Sequence, residues 1–99
     1  MNNQLKRLSP EFIVAIEIYK SNVFNEPLHF TNLVDKLDGK LTKNQVSDAL
    51  DTLLDWGIAI GMYNSYKYGD VKGYVFLFEI DELHKDRIRK LYEEYYTSN

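Results

Sequence analysis

Apolar residues in the first half of this chain recur with a helical period of about 3.6, and from Ile58 onward the period drops to 2. Ser9-Pro10-Glu11 opens the first periodic stretch with a hydroxyl cap, a proline at the first helical position and an acid near the positive helix end. The spacing predicts a helix from Pro10 to about Ser21. Phe12, Ala15, Ile16 and Tyr19 share one face of it, while Val14 and Ile18 lie nearly opposite. A helix that is apolar on two sides needs a cover on each.

Leu28-His29-Phe30 reads as a very short strand. Thr31 then reads as the cap of a second helix with Leu33, Val34 and Leu37 on its inner side, ended at Asp38-Gly39-Lys40. Thr42 is the expected cap of a third helix, from Lys43 to about Trp56 and closed by Gly57. Its apolar stripe is Val46, Ala49, Leu50 and Leu53. IAIGMYNSY and GYVFLFEI, alternating with period 2, predict two antiparallel strands joined by a loop near Lys67 to Lys72. In the second strand Phe76, Phe78 and Ile80 face one way and Val75 and Leu77 the other, so its outer side needs a cover. Asp81 caps a last helix, with His84, Ile88, Leu91, Tyr92 and Tyr95 as its stripe.

The expected architecture is therefore α+β: a three-helix core, a β-hairpin and an additional C-terminal helix. This order resembles a winged helix-turn-helix domain and is similar to small transcriptional regulators of the MarR and PadR types. The resemblance runs from about Ser9 to Tyr96. It rests on Phe30-Thr31, Leu33-Val34 and Leu37 leading through a turn into LTKNQVSDALDTLLDWGIAI, with its hydroxyl cap, its Val46, Leu50, Leu53 spacing, and a glycine before an apolar strand.

The resemblance implies double-stranded DNA as partner and a role as a transcriptional regulator. The third helix would enter the major groove through Thr42, Lys43, Asn44, Gln45, Ser47 and Asp48, and the wing would meet flanking backbone through Tyr66, Lys67, Tyr68 and Lys72. It also implies a homodimer. Val14 and Ile18, with Ile88, Leu91, Tyr92 and Tyr95 of the last helix, are the candidate contact. The other solution is that the last helix folds back over the first within one chain.

Charge complicates the picture. The chain carries a net charge of −3 and has a pI near 5.3, where nucleic-acid binders are usually basic somewhere. Asp48, Asp51 and Asp55 all fall within about 40° of the direction opposite Val46, so they lie on the face a groove would receive. Three readings stay open: a solvated face, base contact by Asp48, or docking of a basic protein partner on the acidic strip.

At 99 residues, 44% hydrophobic and 14% aromatic, the chain is expected to be one domain. Residues 1–8 would be a flexible N-terminus and residues 81–97 the last helix. No apolar run approaches the roughly 18 residues needed to cross a bilayer, and MNNQLKRLSPEF lacks a signal-peptide core, so a cytoplasmic location is expected and no membrane contact. There is no cysteine, and His29 and His84 are far apart in sequence. Neither phosphate-binding glycine pattern occurs. The expectation is no metal, no cofactor and no enzyme activity.

Overall fold

The computed structural model describes residues 5–24, 26 and 28–97, and along residues 62–68 and 71–76 the backbone alone. Its elements are α1 (Pro10–Val23), α2 (Phe30–Lys36), α3 (Lys43–Asp55), β1 (Ala59–Tyr68), β2 (Val71–Ile80), a 3-10 turn (Glu82–His84) and α4 (Lys85–Thr97). The class is α+β, four helices and one two-stranded antiparallel sheet.

Local chemistry sets the helix starts. Ser9 accepts the Phe12 N–H on its hydroxyl at 3.2 Å, with Pro10 at the first helical position. The second helix departs from the sequence reading. His29, not Thr31, is its cap: Nδ1 accepts the Asn32 N–H at 3.4 Å, and Asn32 Oδ1 accepts the His29 N–H at 3.3 Å. Leu28-His29-Phe30 is accordingly not a strand. The Leu28 carbonyl accepts one bond from the Phe78 N–H of β2, at 2.9 Å, and the chain then turns into the helix. The loop expected between Lys67 and Lys72 is also shorter. The strands pair from Ala59 opposite Ile80 to Tyr68 opposite Val71, leaving Gly69 and Asp70 as the turn. Gly69 has φ 61°, the left-handed conformation that a two-residue hairpin turn requires and that glycine adopts without a Cβ penalty.

One core joins these elements. Phe12, Val14, Ala15 and Ile18 of α1 meet Leu28, Leu33, Leu37, the α3 stripe of Val46, Ala49, Leu50 and Leu53, and Ile58, Ala59, Phe78 and Ile80 of the hairpin base. Asn22 fastens α1 to β2. Its Oδ1 accepts the Ile80 N–H at 2.9 Å, and its Nδ2 donates to the Phe78 carbonyl at 3.4 Å. Buried backbone groups at the root of the hairpin thus have partners. Leu77, on the other side of β2, is half-buried; the side chains of Val75 and Phe76 lie outside the described residues.

The two-sided first helix is enclosed within one chain. Asn22 fastens α1 to β2, and α1 also packs against α3. On the other flank α4 packs, with the Phe12 and Tyr95 rings 5.7 Å apart edge-on and the Tyr19 and Tyr92 rings 5.3 Å apart. Val14, Ile18 and Ile88 are 0% exposed, and Leu91, Tyr92 and Tyr95 are half-buried against the same core. The first three, expected at a contact between copies, are interior residues of the monomer. Periodicity reported two apolar sides but not that both are filled from within.

Candidate nucleic-acid interface

The connection between α2 and α3 sets how the third helix is presented. Leu37 closes α2, and its carbonyl accepts the Lys40 and Leu41 N–H groups at 2.9 and 3.0 Å. Gly39, at φ 88°, makes the reversal. Thr42 then starts α3 with a reciprocal cap: its hydroxyl accepts the Gln45 N–H at 3.1 Å, and Gln45 Oε1 accepts the Thr42 N–H at 2.8 Å. Helix geometry leaves the N–H groups of Lys43 and Asn44 without an intrahelical acceptor. With the Lys43 ammonium beside them, they form a positive end suited to an anionic oxygen.

Burial along α3 follows the expected stripe. Val46, Ala49, Leu50 and Leu53 are buried; Thr42, Lys43, Asn44, Gln45 and Asp48 are exposed; Ser47 is half-buried. The six residues expected to read DNA therefore sit together at the start of one helix. Two are altered by their surroundings. Gln45 has its carbonyl oxygen committed to the cap, and Ser47 is partly screened. The T-x-x-Q spacing of Thr42 and Gln45 is a capping-box signal in the sequence, and reading it would have removed Gln45 from the free readers.

Asp48, Asp51 and Asp55 are all exposed on the outer face. The ion pairs among the described residues lie elsewhere: Lys36 with Glu26, Lys85 with Glu82, and Arg89 with both Asp86 and Glu93. In the Lys85 pair, at 2.9 Å, the hydrogen bond to Glu82 raises the lysine pKa above its ordinary value. Among the described residues the α3 strip thus presents negative charge without an ion-pair partner, beginning more than one turn beyond the helix start and running to its last turn.

One rung of the hairpin supplies the opposite sign, beside the exposed Asp70 of the turn. The strand register sets Lys67 directly opposite Lys72, one rung below the Tyr68–Val71 pair that flanks the turn. Ten residues of strand reach about 30 Å, so this rung is carried far from the core. The side chains of Tyr66, Lys67, Tyr68 and Lys72 lie outside the described residues. The buried base of the hairpin, Ala59 and Ile80, joins the core on which α3 rests.

Solved structures share this arrangement. F-93 of SSV1 aligns with a TM-score of 0.62 at 18% identity, over 98% of this chain and 93% of that one. The circadian clock associated protein Pex from anabaena gives 0.61 at 14%, over 91% and 84%. Pex from Synechococcus gives 0.62 at 22%, over 92% and 84%. The fold is a winged helix. At these identities the winged-helix likeness concerns the backbone path, and the chemistry of the outer faces is this chain's own. No protein-family model and no curated protein matches the sequence. In winged-helix terms, α3 is the helix presented outward, β1 and β2 are the wing, and α4 is an addition packed behind α1. No described helix is long and apolar enough to cross a membrane.

Proposed function

We propose that this winged helix binds duplex DNA as a transcription regulator, in the manner of the small MarR and PadR types. The start of α3 lies in the major groove and the wing lies on flanking backbone. The observation that carries this reading is the convergence of exposed Thr42, Lys43 and Asn44 at the outward start of a helix fixed by the core, where helix geometry leaves two N–H groups without an intrahelical acceptor. Phosphate contact by helix N-termini and lysines supplies affinity and register, and polar side chains in the groove supply choice of sequence. The wing rung of Lys67 and Lys72 extends the cationic contact. Few cations per chain favour a two-fold assembly that doubles them. Since Val14, Ile18 and Ile88 are interior, such a dimer draws on what α4 leaves outside, half-buried Leu91 and the exposed Tyr96.

A second reading has its own observation: Asp48, Asp51 and Asp55 are exposed on one strip, whose charge suits a basic protein partner. Salt separates the two. Lys43, Lys67 and Lys72 on three phosphates give a slope of log K against log salt of about −2.7 per subunit on random duplex. Replacing Lys67 and Lys72 by alanine is expected to flatten it by about 1.8. Fluorescence anisotropy on a labelled duplex at several salt concentrations checks this. Absence of binding at low salt overturns the DNA reading and leaves the acidic face as the contact.

A further inference from the structure

Which bases such a helix selects follows from which of its polar side chains are free. Gln45 cannot present an amide oxygen and nitrogen together, because Oε1 already accepts the Thr42 N–H at 2.8 Å. Ser47 is half-buried. Asn44 and Asp48 are exposed and lie four residues apart on one outward strip, with neither side chain engaged in the caps and ion pairs described above. Each has a definite donor and acceptor pattern. An asparagine offers one donor and one acceptor, which matches adenine N7 and N6. An ionised aspartate offers acceptors alone. In the major groove guanine shows two acceptors and thymine one acceptor and a methyl group, so both are refused. Cytosine itself shows only the N4 donor, whereas adenine carries the N7 acceptor beside its N6 donor.

We infer that Asp48 is a specificity-determining residue that selects cytosine, and that Asn44 selects adenine about two base pairs away. The inference rests on the DNA reading above. For a helix lying along the groove the separation comes from the helix itself: four residues rise about 6 Å, and bases stack about 3.4 Å apart. The carboxylate on the reading face is thus compatible with groove binding: it rejects guanine and accepts cytosine at one step, and weakens binding to all other sequences.

Selection of bound duplexes from a randomised pool at low salt, followed by sequencing, tests this. The parent protein is expected to enrich sites with cytosine and adenine at the stated separation, with roughly five- to hundredfold discrimination at each. Asp48→Ala loses the cytosine preference and keeps the adenine one; Asn44→Ala does the reverse. Asp48→Asn converts cytosine into adenine at its own position, which a merely structural role would not produce. Both residues are exposed, and circular dichroism melts of each variant confirm that it is folded. Binding by the parent without base preference, or a cytosine preference that survives Asp48→Ala, overturns the inference while DNA binding stands. Failure of the parent to bind any duplex removes the DNA reading itself and this inference with it.

Discussion

A protein in which Asp51 and Asp55 are both replaced by lysine is expected to bind random duplex DNA at least about tenfold more tightly than the parent at low salt. Both residues are exposed on the outer face of α3, one and two turns past Asp48. A charge about 8 Å from a phosphate in water-like surroundings is worth about 0.5 kcal/mol. Each aspartate-to-lysine change shifts the local charge by two, so the pair of substitutions contributes about 2 kcal/mol, or roughly 30-fold before screening. The fold is expected to gain as well. Asp51 and Asp55 repel each other at i,i+4, and the last turn of α3 carries no basic residue to meet the negative helix end. Anisotropy on a random duplex measures the change. Affinity unaltered by four units of charge would mean that this face of α3 never approaches DNA.

Ile18→Ala is expected to cost about 2–5 kcal/mol, a large share of the roughly 5–15 kcal/mol that holds a domain together. Ile18 is 0% exposed on the flank of α1 that Asn22 fastens to β2. Shortening it removes packing atoms and leaves a cavity in a core built from several elements, which none of them can close alone. An interior residue and an interface residue differ in how the loss depends on concentration. The drop in denaturation midpoint is expected to be the same at low and high protein concentration, because the contact lies within one chain. A drop seen only when the protein is dilute would return Ile18 to a contact between copies.

Elements whose signals are local and redundant could be read from the sequence. Ser9-Pro10 and Thr42 name their own helix starts, and the Val46, Ala49, Leu50, Leu53 stripe names the inner face of α3, because each involves residues within one or two turns. The outward placement of Asp48, Asp51 and Asp55 followed from the same geometry. What could not be read depends on partners far along the chain. Leu28-His29-Phe30 has the apolar look of a strand, but whether it pairs is decided by β2, which gives it a single bond at Phe78. Histidine capped α2 in place of the more usual threonine because Asn32, three residues on, closes the reciprocal bond. The wing loop shrank to two residues because one glycine in the left-handed region lets both strands run to the turn. Helix one showed two apolar sides. That α3, α4 and the hairpin root fill them from within is a fact of tertiary packing, which periodicity does not encode.

The most direct measurement is a titration of the isotope-labelled protein with a short duplex, followed through its backbone amide resonances. The account predicts the largest shifts at Lys43 and Asn44, whose amides are free to meet phosphate, and along the tip of the wing around Lys67 and Lys72, with α4 unmoved. Shifts confined to α4, or to the aspartate-bearing turns of α3 while its start stays silent, would contradict it.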